Sequence, residues 1–499
     1  MTALPPTPAS VGQHIGKRPG QDAPKPRIAG PDEDVPLYEA RKQIYPQSIH
    51  GRYRTIKWAV LIVALTIYYF LPFVRWDRGP DAPGQAVLID FTTHRFYFFF
   101  LEIWPQEFYY VAGLLILASL ILFMLNAVAG RVWCGYMCPQ TVWTDLFMAV
   151  ERFFQGDRRE RMKLDAAPWT RDKMVRKGAT HAVWLLIAWW TGGAWVLYFA
   201  DAPTLVKDLA TFQAPAIAYI SILTLTFTTY VLAGYMREQV CTYMCPWPRI
   251  QAALTDEYAL NVTYCYDRGE PRGSVKKAAS LRALGEPAGD CVDCFQCVAV
   301  CPTGIDIRNG SQLECIQCGL CIDACNNVMD KIGRPRELIT YESEANLEAR
   351  LAGRPFIQKL IRPRTLLYAA LISLCCALML TALLGRSTEG LSALHDRNPV
   401  FVKLAGGAVR NAYTVRLINK LREDRTFILS MEGVPGGHLE VVGADAGALT
   451  VGPDQTREIR VLITTKDKLP PGASLPLTFR LRDAATGREA SVSDHFIGP

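Results

Sequence analysis

Histidine is scarce in this 499-residue chain, and of its seven copies only His181 falls inside a long apolar run. A haem clamped between two histidines inside a membrane needs a pair there, so a haem route across a bilayer is disfavoured. Cysteine, present fifteen times, is missing after Cys376, and the end of the chain therefore cannot hold an intersheet disulfide. No cleavable signal peptide is expected, because the first apolar run, Trp58 to Val74, starts too late for one. Half the residues are apolar and 20% are charged, which excludes disorder as the dominant state. A mean hydropathy of +0.10 with that much charge points instead to long apolar runs alternating with polar domains. The length and the clustering of the cysteines rule out a small disulfide scaffold.

Residues 1 to about 50 are rich in proline, glycine and charge and read as a disordered cytoplasmic tail. Five apolar runs follow, over about 58–74, 108–129, 180–200, 215–236 and 365–384, none with Asp, Glu, Lys or Arg in its interior. Each reaches the length that spans a bilayer as a helix. Lys and Arg number ten in 131–179 and sixteen in 237–364, against three in 75–107 and one in 201–214. Cytoplasmic segments retain basic residues, so this asymmetry places the N-terminus and the two basic segments inside the cell. Five spans then put the region from 395 to 499 in the periplasm. The net charge of +7 is a marker of topology on this reading, with the lipid bilayer as partner and nucleic acid excluded. Stretches such as Ala412 to Asn419, Thr426 to Ser430, Ile459 to Thr464 and Leu477 to Leu481 alternate apolar residues at every second position. They predict an all-β sandwich of about 100 residues.

Between 291 and 335 lies Cys291-x-x-Cys294-x-x-Cys297-x-x-x-Cys301-Pro302, then Cys315-x-x-Cys318-x-x-Cys321-x-x-x-Cys325. This is the spacing of a bacterial ferredoxin with two 4Fe-4S clusters, in which the fourth cysteine of each run serves the other cluster. It assigns Cys291, Cys294, Cys297 and Cys325 to one cluster, and Cys315, Cys318, Cys321 and Cys301 to the other. Asn326 stands where the pattern would repeat Pro302. A zinc ribbon would instead use paired Cys-x-x-Cys units around one ion.

A second constellation is repeated. Cys134-Gly-Tyr-Met137-Cys138-Pro returns as Cys241-Thr-Tyr-Met244-Cys245-Pro, each copy directly after an apolar run; the second opens the 237–290 segment. Proline suits the first turn of a helix, which places Cys138 and Cys245 near helix N-termini, where the dipole favours thiolate. Four readings stay open for Cys134, Cys138, Cys241 and Cys245: copper ligands, ligands of a further cluster, redox-active pairs, or small buried side chains. Met137 and Met244 would add thioether ligands if they turn inward, and otherwise pack at the interface. Cys265 has no cysteine near it in sequence, Cys375 and Cys376 lie inside the fifth run, and His94 lies in an outer loop; packing is the expectation for these.

The chain resembles the CcoG family, also called FixG or RdxA, the accessory proteins of cbb-type cytochrome c oxidase. The likeness rests on Arg95-Phe-Tyr-Phe, Trp104-Pro-Gln, both Cys-x-Tyr-Met-Cys-Pro copies, Arg268-Gly-Glu-Pro-Arg-Gly, the twin-cluster cysteines, Arg397-Asn-Pro and Arg410-Asn-Ala-Tyr. The resemblance implies a bacterial inner-membrane protein with five helices, a ferredoxin-like insertion and an immunoglobulin-like outer domain. It implies reduction of Cu(II) to Cu(I) for oxidase assembly, with catalytic or copper-binding roles for Cys134, Cys138, Cys241 and Cys245. The partners it implies are copper ions, copper chaperones or oxidase assembly factors, and a cytoplasmic electron donor. A quinol-linked electron conduit and a non-enzymatic redox sensor or scaffold are the alternatives.

Overall fold

The computed structural model describes residues 43–499 apart from 80, 81, 356–358, 405, 406, 468 and 471. The expected disordered tail lies outside these residues up to position 42. Its last part is ordered: Gln47 N–H donates to Ala299 O at 2.8 Å, the Ser48 hydroxyl to Asp157 at 2.9 Å and the Tyr45 hydroxyl to Asp165 at 2.7 Å. The tail boundary at residue 50 is therefore too late by several residues, because polar anchors absent from local sequence hold this stretch.

Two compact units form. One contains the described residues up to Val74 together with Gln85–Ala377, and the other contains Arg75–Gly84 and Leu378–Pro499. In the first, helices α1 (Arg52–Phe70), α2 (Tyr109–Ala129), α3 (Val132–Tyr136), α4 (Pro139–Gln155), α5 (Arg171–Val196), α6 (Ala216–Thr229) and α7 (Trp247–Leu254) precede the cysteine-rich loops. Helix α8 (Leu320–Lys331) follows the second loop and α9 (Pro363–Leu384) comes last. Among the described residues four helical stretches are long and apolar enough to cross a membrane: Arg52–Phe73, Pro105–Ala129, Ala216–Met236 and Pro363–Leu384. The third expected run lies on α5, which is not among them. Its apolar stretch is diluted by His181, by two glycines and by tryptophans at 184, 189, 190 and 195. Helix α5 packs closely on α6, where a Cβ added at Gly192 would stand 2.8 Å from Ile222 O.

Between α1 and α2 a small antiparallel sheet runs β1 (Val87–Asp90), β2 (Arg95–Phe98) and β3 (Leu101–Ile103). Arg95 pairs with Glu102 at 2.9 Å and lies 3.7 Å over the Trp104 ring. His94 occupies the turn of this hairpin with φ +56°. The ferredoxin segment reaches beyond 291–335: strands β4 (Asn261–Tyr264) and β5 (Ile339–Glu342) pair antiparallel at its two ends. Their four-residue alternation is too short to stand out in the sequence.

The second unit holds two antiparallel sheets. One has the order β10 (Gly437–Val441), β12 (Thr456–Thr465), β8 (Val409–Asn419), β6 (Glu389–His395), with β7 (Val402–Lys403) also on β8. The other has the order β11 (Leu449–Val451), β9 (Arg425–Glu432), β13 (Ser474–Asp483), β14 (Glu489–Ile497). The four alternating stretches lie in β8, β9, β12 and β13. Their inward residues, including Tyr413, Val415, Leu417, Phe427, Val461, Ile463, Phe479 and Leu481, form the core. No disulfide is needed, because burial of alternate residues on two facing sheets supplies the cohesion. At one buried position Arg425 pairs with both Asp483 and Glu389.

Candidate redox centres

The two cysteine loops curl in the same way. Asp293 and Phe295 have φ +55°, and Gln317 and Gly319 have φ +55° and +73°, so the residues flanking the second cysteine of each run are left-handed. That double reversal lets three thiols of one short loop line one cavity. Glycine serves this at 319, where an added Cβ would stand 2.8 Å from the Tyr53 ring. Phe295 adopts the same conformation with a side chain, covered by the Arg308 guanidinium 4.1 Å above its ring. Behind the first loop the Arg268–Gly273 stretch fixes Cys291: Asp290 N–H donates to Arg268 O at 3.0 Å and Gly273 N–H to Cys291 O at 3.2 Å.

Cys291, Cys294, Cys297 and Cys325 line one cavity of about 350 Å³, with Tyr264, Met329, Leu338 and Ile339. Cys301, Cys315, Cys318 and Cys321 line another of about 350 Å³, with Val262, Ile305 and Ile307, and Cys297 borders this one too. Helix α8 carries Cys325 back to the first set. Burial pushes the Cys297, Cys325 and Cys315 thiols up to about 12 and the Cys321 thiol well above its ordinary value, and neighbouring cysteines push in the same direction. Thiolates this crowded and buried need a bound cation to exist. Among the described residues no three His, Cys, Asp or Glu side chains converge on a single ion. Four soft ligands lining one largely apolar pocket fit the donor set of a 4Fe-4S cube, which needs one thiolate at each iron corner.

The two hexamer copies come together although their first cysteines stand 107 positions apart in the chain (241 minus 134). Each begins with a left-handed residue four positions before its first cysteine, Gly130 at φ +55° and Arg237 at φ +43°. Arg237 is held there by its Nε bond to Gly234 O at 2.7 Å and its ion pair to Glu151 at 3.0 Å. Cys134 then lies on α3 and Cys241 on a π-helical turn, Val240–Met244. Burial pushes both thiols up to about 12; Cys138 and Cys241 add to this at Cys134, and Cys138 and Cys245 add to it at Cys241. The four cysteines therefore share one locality. Cys138 is the N-cap of α4, while Cys245 stands one residue outside α7, whose N-cap is Pro246. Met137 and Met244 are more than half exposed, so their assignment as thioether ligands finds no support in the fold.

The first copy also touches the ferredoxin loop. The Tyr136 hydroxyl donates to Cys318 O at 3.0 Å, and a Cβ added at Gly135 would stand 2.7 Å from Ile316 O. Arg131 N–H donates to Gln317 Oε1 at 2.6 Å, and its guanidinium donates to Pro248 O at 2.9 Å. Cys134 donates to the buried Gln251 at 3.4 Å. None of these partners was readable from the sequence, since each lies more than a hundred residues from the group it meets. Cys265 lines neither cavity and takes a hydrogen bond from Arg350 at 3.4 Å. Cys375 meets Gly113 O at 3.8 Å across α2 and α9, Cys376 is exposed, and His181 bonds Tyr230 at 3.0 Å within an aromatic cluster.

Comparison with known families agrees with this layout. A 4Fe-4S binding domain matches residues 111–157, a 4Fe-4S dicluster domain residues 236–344, and the IG-like fold at the C-terminus of FixG residues 379–499. Each iron–sulfur match contains one hexamer copy. The nitrogen fixation protein FixG of Rhizobium meliloti is 49% identical over 90% of this chain and 90% of its own. Protein RdxA of Cereibacter sphaeroides is 49% identical over 93% of this chain and 99% of its own. A crystal structure of a FixG-related protein from Vibrio parahaemolyticus, 24% identical, covers 22% of this chain and 97% of that one, with a TM-score of 0.20. Two 4Fe-4S domains joined to apolar, membrane-length helices make the chain a membrane iron–sulfur redox protein. With this identity held over nine-tenths of its length, the chain belongs to the FixG family.

Proposed function

We propose that this protein passes electrons from its two ferredoxin clusters to the four-cysteine centre at the membrane edge and there reduces Cu(II) to Cu(I). The observation that carries this reading is the seating of Gly135 and Tyr136 on the backbone of Ile316 and Cys318, which abuts the copy holding Cys134 and Cys138 to the second cluster loop. The clusters supply one-electron carriers when bound. Cys297, in the wall of both cavities, joins the first set to the second. Exposed Cys294 gives an electron donor access to the first set, and exposed Cys245 gives an ion access to the four-cysteine centre. Thiolates suit Cu(I) better than the oxygen and imidazole ligands that suit Cu(II), so binding there favours the reduced ion. Each Cu(II) takes one electron, which the donor replaces.

The test is a Cu(I)-chelator assay on anaerobic, cluster-loaded protein. Wild type is expected to reduce Cu(II), and the variant with Cys134, Cys138, Cys241 and Cys245 all changed to serine to lose that activity while keeping its ferredoxin iron. An unchanged rate would sink the reading. Met137→Leu with Met244→Leu should leave the rate within about twofold, as exposed side chains contribute little. One specific observation favours a second reading, a third cluster at the same four cysteines: they meet in one locality, and each matched iron–sulfur domain includes one of the two pairs. Iron and sulfide analysis of wild type against the four-serine variant separates the two.

The basic residues beside the helices support a cytoplasmic redox unit and a periplasmic sandwich, which requires an odd number of spans and hence a crossing by α5. A reporter active only in the periplasm, fused after Ser387, should be active; silence there means that α5 does not cross. Copper chaperones or oxidase assembly factors are the partners we assign to the sandwich, and delivery of Cu(I) for cbb-type oxidase assembly is the role.

A further inference from the structure

Lys57, in the second turn of α1, is only 3% exposed. A lysine is seldom buried to that extent unless it is closely paired. The one carboxylate within 4 Å of it among the described residues, Asp145, has Oδ2 at 3.9 Å, beyond hydrogen-bond reach. Asp145 is itself taken by Arg54, whose Nη1 meets both its oxygens at 2.8 and 2.9 Å. An ammonium so loosely held needs further negative charge nearby. An open pocket beside it brings the candidate charges together. Its walls bring Lys57, Arg237 and the Glu238 carboxylate together with Cys241 of the second hexamer and with Pro302, Thr303 and Ile316 of the loops that carry Cys301, Cys315 and Cys318, so the cysteine sets add their charge to that of Glu238. Burial raises the Cys318 and Cys241 thiols, and Lys57 is a positive charge that opposes the rise in both.

We propose that Lys57 is a positioning charge shared by the Cys301, Cys315, Cys318 and Cys321 set and the four-cysteine centre. Uptake of one electron by the redox group that either set would hold adds one negative charge there and makes or breaks no bond. The ammonium stabilises that charge at both ends of the transfer, so the electron crosses without leaving its compensating cation. The part concerning the four-cysteine centre rests on the function proposed above; the part concerning the ferredoxin set does not.

The experiment is an EPR-monitored redox titration of full-length, cluster-loaded protein, with signals assigned through Cys294→Ser and Cys318→Ser variants. Lys57→Met should move the potential of the Cys301 set negative by at least about 59 mV, a tenfold change for a one-electron step. Lys57→Arg should leave it in place, Asp145→Asn should move it positive, and the Cys291 set should stay fixed in all three. Equal potentials in wild type and Lys57→Met overturn the proposal. Shifts of one sign in Lys57→Met and Asp145→Asn overturn it as well, since they mark disturbed packing. If Lys57→Met fails to retain iron, Asp145→Asn decides: without a positive shift the proposal falls. The same titration in the four-serine background should still show the shift at the Cys301 set, so loss of the copper reading and loss of this one give different results.

Discussion

Two segments that agree at five of six residues meet opposite surroundings in this protein. In the first copy Tyr136 is 8% exposed and bonded to Cys318 O, whereas its counterpart Tyr243 in the second copy is 73% exposed. Cys138 is half-buried and Cys245 is exposed. The single difference between the copies, Gly135 against Thr242, falls where the first copy presses on the ferredoxin loop. A repeated sequence has thus become an asymmetric pair, with one copy packed on the ferredoxin loop and the other exposed to solvent.

The largest test of that asymmetry is to erase the difference. Gly135→Thr places a side chain 2.7 Å from Ile316 O, a contact that backbone cannot yield to. It should cost about 1–3 kcal/mol or more, with loss of the cluster at Cys301, Cys315, Cys318 and Cys321 read as iron and sulfide per chain. Thr242→Gly should leave both ferredoxin clusters bound. Equal iron in the two variants would break the comparison.

Alkylation of the metal-free protein gives an intermediate effect. Cys134 and Cys241 lie at about 12, so only their minor thiolate form reacts below that pH. Their labelling, followed by mass spectrometry, should rise about tenfold per pH unit from 8 to 11. The same shift fixes the sign for stability: a thiol raised on folding favours the folded metal-free chain below its unfolded value. That advantage is lost as the pH climbs from about 9 toward 12. A flat labelling rate would show that the pair is not buried.

The smallest effect separates the tyrosines. Tyr136→Phe removes a buried hydrogen bond and should lower stability by about 1 kcal/mol. Tyr243→Phe should stay within about 0.5 kcal/mol. Thermal unfolding followed at the cluster absorbance measures both, and equal shifts would remove the distinction.

Much of the site could be read before any fold was known. The cysteine spacing grouped the eight thiols into the two sets that line separate cavities, because the reach of a curled loop and a short helix limits which thiols can meet. The alternation in the last hundred residues named the sandwich, because strand side chains face opposite sides with a period of two. The span count was less legible. Helix α5 has helical periodicity, but its tryptophans and glycines suit a packed helix as well as a crossing one, and composition alone does not distinguish them. The end of the tail was misplaced, because the bonds that order Tyr45, Gln47 and Ser48 come from residues more than a hundred positions away.

By itself the sequence determined which residues could carry redox chemistry: eight thiols in two ferredoxin-spaced runs, four in a duplicated hexamer, and apolar helices long enough to cross a membrane. Only the tertiary structure decided how these sets adjoin. It set Gly135 and Tyr136 against Cys318, gathered two distant hexamers into one locality, turned Met137 and Met244 outward, and buried Lys57 between the sets. The physical reason is that ligand spacing is a local property of the chain, whereas the order of redox centres and the charges between them depend on packing between segments far apart in sequence.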